Sequence, residues 1–371
     1  MKFLHLSDLH LGRRLYDVSL LDDQQYILQQ ILQLLERERA DAVLIAGDVY
    51  DKAVPTVEAV RLLDWFLTAL SDRDLPVFLV SGNHDSAERL AFGSKLICDR
   101  NVHISPVFEK PEKPVVLHDE FGEVRIYLLP FVKPIHVRRV FPEADIASYT
   151  DAVKTVIDNW EIDPAVRNVL VAHQFVTGAE RSESERISIG GLDDVASEVF
   201  APFDYVALGH LHRSQAVGQA HIRYAGTPLA YSFSEGDHEK SVTWVELQEK
   251  GNLQIAVTNL EPKRGVHTKV GLFADLMGDT SDSYLRIILK DEDDIPNAWT
   301  RLRYRYPELL RLEYDNLRMK TSLQADPLGA GEISPLKMLG DFYRMRNGRD
   351  LDDKQLLMAE AWMEEIWEDD L

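Results

Sequence analysis

The sequence contains a single cysteine, Cys98, among its 371 residues. One cysteine cannot form an intrachain disulfide, and it cannot supply the thiolates of a cysteine-based zinc site. A metal site in this chain must therefore take its ligands from oxygen and nitrogen atoms.

Long apolar runs are also missing from the sequence. No stretch reaches the roughly 18 apolar residues that a membrane-spanning helix requires. The first ten residues, MKFLHLSDLH, carry carboxylate and histidine side chains where a signal peptide would be apolar. We expect a cytoplasmic protein without membrane association.

Basic residues are too few to balance the acidic ones. The chain has 41 Lys and Arg against 62 Asp and Glu, which gives a formal net charge of −21. Such a charge argues against bulk electrostatic attraction to nucleic acid or to anionic membranes. Its hydrophobic fraction of 45% is that of a globular protein, and its length suggests two domains or one large domain with an appendage.

Short β-branched runs alternate with longer amphipathic stretches in the first two thirds of the chain, which is typical of a layered α/β domain. The predicted buried strands are KFLHLSD, DAVLIAGD, PVFLVSGNHD, VRIYLLP, NVLVAHQ and YVALGH. Apolar residues at helical spacing predict helices in DDQQYILQQILQLLERERA and TVEAVRLLDWFLTAL. After Gly209 the runs HIRYAGT, KSVTWVEL and LQIAVTNL suit the second sheet of a sandwich.

The pattern changes again near EPKRGVHTKVGLF. We expect a first domain over residues 1–265, a small second domain over residues 266–320, and a polar linker over residues 321–333. In residues 334–371 the pattern of apolar residues predicts two amphipathic helices.

Polar residues follow five of the predicted strands. In chain order they are Asp8 and His10; Asp48 and Asp51; Asn83, His84 and Asp85; His173; and His210 and His212. The carboxyl ends of strands in an open α/β sheet converge on the ligand site. Each residue alone has another explanation, as a helix cap, a turn residue or a structural histidine. Five such clusters at five strand ends favour a shared site.

The residue types in these clusters are those that a divalent cation prefers, namely carboxylate, imidazole and amide oxygen. Two metal ions about 3.5–4 Å apart need a bridging carboxylate. Asp48 is the best candidate, because it lies between the other ligands in chain order. His210 and His212 could each reach a different ion. Ligand type alone would admit Mn²⁺, Fe²⁺, Zn²⁺ or Mg²⁺.

Five short motifs, SDLH, GDVYD, SGNHD, AHQ and GHLH, resemble the signature of the calcineurin-like metallophosphoesterases in order and spacing. The stretches HLSDLHLGRRL, ERSESERISIGG and YAGTPLAYSFSE resemble the SbcD-like break-repair nucleases of that superfamily, over essentially the whole chain. The resemblance implies an α/β fold: a four-layer αββα metallophosphoesterase sandwich with a small α+β cap domain and C-terminal helices.

The resemblance also implies the roles of individual residues. One metal ion would be bound by Asp8, His10, Asp48 and His212, and the other by Asp48, Asn83, His173 and His210. His84 would face the scissile phosphate, and the carboxylate of Asp51 would orient His84. The family favours Mn²⁺, two ions per chain.

By the same resemblance, the chain is expected to be the Mn²⁺-dependent DNA nuclease subunit of a complex with an SbcC-like coiled-coil ATPase. Double-strand exonuclease and single-strand or hairpin endonuclease activity would serve DNA end processing, repair and recombination. Basic residues near the motifs are candidate DNA contacts, although each could equally lie on a solvated face: Arg13, Arg14, Lys52, Arg138, Arg139 and Arg213. The acidic balance suggests that the partner supplies much of the basic surface.

Two surfaces are expected to bind other chains. The helices within residues 55–98 would form a homodimer, inside a heterotetramer with the ATPase, although their apolar stretches VRLLDWFLTAL and LAFGSKLIC could equally be core. The two C-terminal helices carry apolar stripes with two tryptophans near the chain end, and Leu339, Phe342, Trp362 and Ile366 are expected to bind the ATPase.

Other functions remain open at this point. A phosphoprotein phosphatase or small-molecule phosphodiesterase could use the same fold, because fold and metals do not fix the substrate. GDVYDKA lacks the arginine that protein phosphatases place after the second aspartate. A catalytically dead scaffold would be a third function, but the complete ligand set speaks against it.

Overall fold

The structure is a computed structural model that describes residues 1–180, 194–315, 339–340, 342–344, 349–352, 354–356 and 358–359. Its contacts divide the chain into two compact units, Met1–Tyr314 and Asp315–Leu371. The predicted linker over residues 321–333 lies outside the described residues. The domain boundaries expected at residues 265 and 320 stay predictions.

The first unit contains the strands and the longer helices. In chain order the strands are β1 (Lys2–Leu6), β2 (Arg14–Leu15), β3 (Val18–Ser19), β4 (Ala42–Ala46), β5 (Val77–Val80), β6 (Val102–Ile104), β7 (Val115–Asp119), β8 (Gly122–Leu129), β9 (Arg167–His173), β10 (Tyr205–Gly209), β11 (Gln215–Val217), β12 (Gln219–Tyr224), β13 (Ser241–Leu247), β14 (Leu253–Asn259), β15 (Val266–Gly271), β16 (Tyr284–Leu289) and β17 (Leu309–Tyr314). The helices are α1 (Leu21–Glu38), α2 (Val57–Ser71), α3 (Ala87–Leu90), α4 (Ser94–Ile97), α5 (Pro134–Val140), α6 (Tyr149–Asp158), α7 (Phe273–Leu276) and α8 (Ala298–Arg305).

Two six-stranded sheets form the body, in the orders β14-β13-β1-β4-β5-β6 and β11-β12-β10-β9-β8-β7. Alternate side chains of each strand point to opposite faces. In β1, Phe3 belongs to the apolar cluster that both sheets share, whereas Leu4 packs with the residues of α1 and α2. Residues of α6 cover the outer face of the second sheet. The layers are therefore helix, sheet, sheet and helix, and the predicted α/β sandwich is confirmed.

The sequence suggested that the three runs after Gly209, namely HIRYAGT, KSVTWVEL and LQIAVTNL, belong to the second sheet. For two of them this expectation is wrong. HIRYAGT contributes β12, which joins the second sheet together with β11, whereas KSVTWVEL and LQIAVTNL form β13 and β14, which extend the first sheet. The reason is the pairing of β13 with β1, which places Leu4 opposite Trp244. Both side chains then pack into the core beneath α1.

The two long helices lie close to their predicted positions. In α1 the residues Ile27, Ile31 and Leu34 are buried along one face, and the helix ends at Arg39 in the left-handed region, with φ 54°. The start of α2 is set by Thr56, whose hydroxyl accepts a hydrogen bond from the Ala59 main-chain N–H at 3.3 Å.

A third sheet, β15-β16-β17, is parallel and packs with α7 and α8 around its own apolar cluster. The hydroxyl of Tyr284 on β16 donates a 2.8 Å hydrogen bond to Asp23 on α1. None of the described helices is long and apolar enough to cross a membrane.

In the second unit the described helical residues are 339–340, 342–344, 354–356 and 358–359. Within it, the side-chain amide of Gln355 donates to the hydroxyl of Tyr343 at 3.1 Å. The predicted partner contacts Trp362 and Ile366 lie outside the described residues.

Candidate metal centre

Eight polar side chains from five strand ends lie at one edge of the sandwich. The first sheet delivers Asp8 and His10 after β1, Asp48 after β4, and Asn83 and His84 after β5; the second delivers His173 at the end of β9 and His210 and His212 after β10. These strands run parallel within each sheet, so their carboxyl ends meet at the same edge.

The main chain at this edge is held in an unusual conformation. Asp8, His10, Asp48 and His210 have positive φ angles of 52°, 43°, 48° and 108°. Hydrogen bonds join the loops: the Asp8 N–H donates to Gly47 O at 3.0 Å, and the His10 N–H donates to Asp48 O at 2.9 Å. Positive φ is uncommon for residues other than glycine, and such strain clusters at functional sites.

Close approach of the loops requires glycine at two of the motifs. A Cβ atom on Gly209 would lie 1.8 Å from the carbonyl oxygen of Ala46, and one on Gly82 would lie 2.1 Å from Oδ1 of Asp48. The glycine of GHLH therefore lets β10 approach β4 of the other sheet, and the glycine of SGNHD lets the loop after β5 approach Asp48.

The surroundings of His10 are evidence for the first of two metal-binding groups. Asp8, His10 and His212 each offer a ligand atom, and the three atoms lie within 4.8 Å of one another. His10 is only 2% exposed, and neither ring nitrogen has a hydrogen-bond partner among the residues that the structure describes. A buried imidazole without partners is costly unless it binds something else, and its donor atoms suit a divalent cation.

Asp48 connects this group to a second one. Its Oδ2 lies 3.7 Å from Nε2 of His10 and 3.4 Å from Nε2 of His173. Asn83 Oδ1 lies 3.0 Å from Nε2 of His173 and 2.9 Å from Nδ1 of His210. One carboxylate thus stands between two sets of oxygen and nitrogen donors, which fits a pair of divalent cations.

The charges of the centre perturb one another strongly. Burial, reinforced by the charge of Asp48, raises the pKa of Asp8 to about 6. Burial lowers the pKa of His10 well below its usual value, which favours the neutral imidazole that a metal ligand requires. Burial opposes the charge of Asp48 too, but His173, His10 and His84 together outweigh it and keep the pKa of Asp48 below its usual range.

His84 and Asp51 are arranged differently from the expectation. The ring Nδ1 of His84 contacts the main-chain oxygen of Asp51 at 3.0 Å. The carboxylate of Asp51 instead accepts a 2.7 Å hydrogen bond from Arg13 and lies 4.0 Å from His10 Nδ1. Arg13 holds the carboxylate, so Asp51 orients His84 through its carbonyl group and not through its side chain.

Sequence comparisons agree with this geometry. The profile of the calcineurin-like phosphoesterase family matches residues 1–214. A protein of Staphylococcus epidermidis, named as the SbcD component of the nuclease SbcCD, is 32% identical over 321 residues, which cover 84% of this chain and 85% of the relative. A protein of the same name from Staphylococcus saprophyticus is 31% identical over 378 residues, which cover 100% of this chain and 99% of the relative.

The chain belongs to the calcineurin-like phosphoesterases, in the SbcD family. It is a metal-dependent phosphodiester hydrolase.

Two solved structures match the chain at low similarity. One is a dimetal phosphatase from Danio rerio, with a TM-score of 0.40 and 14% identity over 70% of this chain and 96% of that one. The other is the protein TT1561 of Thermus thermophilus, with a TM-score of 0.38 and 14% identity over 69% of this chain and 97% of that one. Both values are too low to support an argument about function.

The structure also reveals a buried carboxylate beside this SbcD-family centre that the sequence did not predict. Glu235, which is fully buried, lies 2.9 Å from Nδ1 of His212 through Oε1. Its other oxygen accepts a 2.7 Å hydrogen bond from Nζ of Lys240. Glu235 belongs to the stretch YAGTPLAYSFSE, but it lies 23 residues from His212, and no spacing rule relates the two.

Asp85 also follows a strand, and the sequence predicts no role for it. Its carboxylate accepts main-chain hydrogen bonds from Gly82, Val49 and Tyr50 at 2.9, 3.0 and 2.9 Å. Burial, reinforced by the charge of Asp48, raises the pKa of Asp85 to about 6. Asp85 therefore joins the loop after β5 to the loop after β4.

The basic residues expected to contact DNA have different surroundings. Arg14 and Lys52 line a cavity of about 260 Å³ together with Asp51. Arg213 pairs with Glu180 at 2.7 Å, and Nε of Arg138 donates to the carbonyl of Ile146 at 2.8 Å. Arg139 lines a second, larger cleft beside Asn83.

Proposed function

We propose that the protein is the Mn²⁺-dependent nuclease subunit of a complex that cleaves DNA, acting as double-strand exonuclease and as single-strand or hairpin endonuclease. The observation that carries this proposal is the position of Asp48 between two ligand groups where the two sheets meet. The relatives named as components of the nuclease SbcCD support DNA as the substrate.

In this proposal each ion has four protein ligands, and one ligand is shared. Asp8, His10, Asp48 and His212 would hold one ion, and Asp48, Asn83, His173 and His210 the other. When bound, the two cations would supply a hydroxide near neutral pH and neutralise charge that develops on the phosphodiester.

His84 would handle the proton of the leaving group. Its Nδ1–H donates to the main-chain oxygen of Asp51, which leaves Nε2 to face the substrate. In its protonated form the imidazole would donate the Nε2 proton to the leaving oxygen, and the carbonyl of Asp51 would stabilise the imidazolium. General acid catalysis of this kind contributes about 10²–10⁴-fold to a rate.

The proposed partners are an SbcC-like coiled-coil ATPase and a second copy of this chain. The net charge of −21 makes a partner with basic surface useful for holding DNA ends. Leu339 and Phe342 are 36% and 54% exposed and remain candidate contacts of the ATPase.

Replacing the shared ligand tests the proposal. Asp48→Ala is expected to lose both ions, whereas Asp8→Ala weakens mainly one, because in the proposed assignment only Asp48 is a ligand of both ions. Metal content after equilibration with Mn²⁺, together with cleavage of single-stranded DNA, measures the effect, and circular dichroism checks the fold. Full two-metal occupancy in Asp48→Ala would contradict the shared site.

A further inference from the structure

A cleft of about 610 Å³ opens beside the metal centre and has Asn83 in its wall. Ligand pockets in proteins typically measure about 300–1,000 Å³, so the cleft is large enough for a small organic group. Its walls come from the loop after β5, from residues 107–109, from the loop after β8 and from α5.

One wall of the cleft is aromatic and continues into the metal centre. Phe108 and Phe131 both line it. The ring of Phe131 lies edge-on to the ring of His173, with 6.2 Å between the centroids. The Phe131 main-chain N–H donates to Ser81 O at 2.9 Å, which fixes this wall to the end of β5. Aromatic rings of this kind are the surfaces on which nucleic-acid bases stack.

Three nitrogen-bearing side chains at and before α5 also line the cleft. Lys133 directly precedes the helix, and His136 and Arg139 lie three residues apart on one face of it. The main-chain N–H of Lys133 donates to Nδ1 of His136 at 3.3 Å, so the ring proton of the neutral imidazole is on Nε2. Arg138 belongs to another face, because its Nε donates to Ile146 O.

Three carboxylates limit what the cleft can bind. Asp85, Glu88 and Glu109 also line it. Asp85 is held by the main-chain N–H groups described above, and Glu88 accepts a 2.9 Å hydrogen bond from the Ser86 hydroxyl. Because these carboxylates outnumber Lys133 and Arg139, the cleft does not favour a multiply charged anion. Aromatic surface with a small number of cations instead suits one base and one phosphate.

We propose that this cleft binds the nucleotide adjoining the scissile phosphate of a DNA strand, with its base against Phe108 and Phe131 and its outer phosphate on Arg139. The inference rests on the proposed nuclease function and adds the position of the strand next to the metals. A strand whose scissile phosphate lies at Asn83 would place the neighbouring nucleotide in the cleft.

Neighbouring arginines provide a matched test in the full-length protein with Mn²⁺. The substrates are a single-stranded oligonucleotide, the same backbone without bases, and bis(p-nitrophenyl) phosphate, a diester that has neither a nucleobase nor an outer phosphate. Arg139→Ala is expected to raise KM for the oligonucleotide about 10-fold, through loss of a charged hydrogen bond. It should also reduce the slope of log KM against log salt by about 0.7. Arg138→Ala is the control: Arg138 does not line the cleft and donates to the Ile146 carbonyl, so this inference gives up the DNA contact that the sequence suggested for it, and both quantities should stay unchanged.

The aromatic wall is tested separately with Phe108→Leu, which keeps an apolar side chain but removes the ring. KM for the oligonucleotide with bases is expected to rise at least ~5-fold, and KM for the abasic strand to stay the same. All variants should hydrolyse bis(p-nitrophenyl) phosphate at the wild-type rate.

The inference would be overturned if Arg139→Ala and Arg138→Ala had the same DNA kinetics. It would also be overturned if Phe108→Leu raised KM equally for the oligonucleotide and for the abasic strand. A wild-type protein that hydrolyses bis(p-nitrophenyl) phosphate but no DNA would instead contradict the nuclease function itself, and the subsite with it.

Discussion

His212 is held by a carboxylate on the side of the ring that faces away from the metal centre. Glu235 Oε1 accepts from the Nδ1–H of His212, so the Nε2 lone pair is left toward Asp8 and His10. Lys240, which is 5% exposed in its side chain, neutralises the buried Glu235. This contact fixes both the tautomer and the ring orientation of His212, the proposed ligand, before any ion binds.

We therefore expect Glu235→Gln to weaken Mn²⁺ binding by at least ~10-fold, because the carboxylate that makes His212 a better ligand is lost. Titration calorimetry on the full-length protein measures the affinity. Glu239→Gln is the matched control, since it removes the same charge from an exposed position four residues away. Equal affinities in the two variants would show that Glu235 has no positioning role.

The role of His84 is a second question at this scale. The ligand atoms of His10, Asp48 and His84 lie within 4.8 Å of one another, so His84 itself could reach a metal ion. If it instead faces the phosphate, His84→Gln should keep both ions and DNA affinity, while turnover falls at least ~10². Metal analysis beside single-turnover kinetics separates the two roles. Loss of an ion in this variant would make His84 a ligand.

At the scale of strands and helices, the sequence predicted which polar residues the fold brings together. Strands with buried runs end in polar residues, and the parallel order of the strands brings those ends together. The sequence could not predict which sheet β13 joins, because that depends on the packing of Trp244 with β1. Nor could it predict Glu235 or the carbonyl contact of Asp51, since neither leaves a periodic pattern in the sequence.

The opposite ends of the strands are joined by an ion pair. Arg167 begins β9 and is 2% exposed, and it donates to both oxygens of Asp119, the last residue of β7, at 2.5 and 3.0 Å. It also donates to the carbonyl of Leu247 at 3.1 Å, at the end of β13. Asp119 accepts a further 2.7 Å hydrogen bond from the amino group of Met1. One arginine therefore connects the two sheets.

Asp119→Ala is expected to lower the free energy of unfolding at pH 7 by about 3 kcal/mol, because Arg167 stays buried without its partner. The hydrogen bonds from Arg167 hold the pKa of Asp119 below its usual range. The pair therefore stabilises the fold above the pKa of an unfolded aspartate, and this stabilisation is lost as the pH falls toward the folded-state pKa. Urea unfolding at pH 7 and pH 3 should show the difference from wild type shrinking in acid. Glu120→Ala, at an exposed neighbour, should change little at either pH.

For the whole molecule, the predicted dimer surface carries exposed apolar side chains. Phe92 and Leu96 are 88% and 81% exposed, and Val57 and Val60 at the start of α2 are 60% and 43% exposed. All four lie within residues 55–98. Large exposed apolar side chains that recur in one segment are typical of interaction surfaces.

We expect the wild-type protein to be a dimer at micromolar concentration and the double variant Phe92→Ser with Leu96→Ser to be a monomer with normal metal content. Light scattering after size exclusion gives the mass. Tyr304→Ser is a suitable control, because Tyr304 is 86% exposed on α8, outside this segment. A monomeric wild-type protein would count against the dimer.

The positive φ angles of Asp8, His10, Asp48 and His210 have a consequence for how this protein can change. Each such residue costs about 1–3 kcal/mol that the rest of the fold must offset, and the reserve of a typical domain is only about 5–15 kcal/mol. Glycine would relieve much of that cost at all four positions, and each time it would remove a side chain that we propose as a metal ligand. Selection for thermal tolerance alone, without a requirement for activity, should therefore replace these residues early, and heat-resistant descendants would be inactive at an otherwise intact fold.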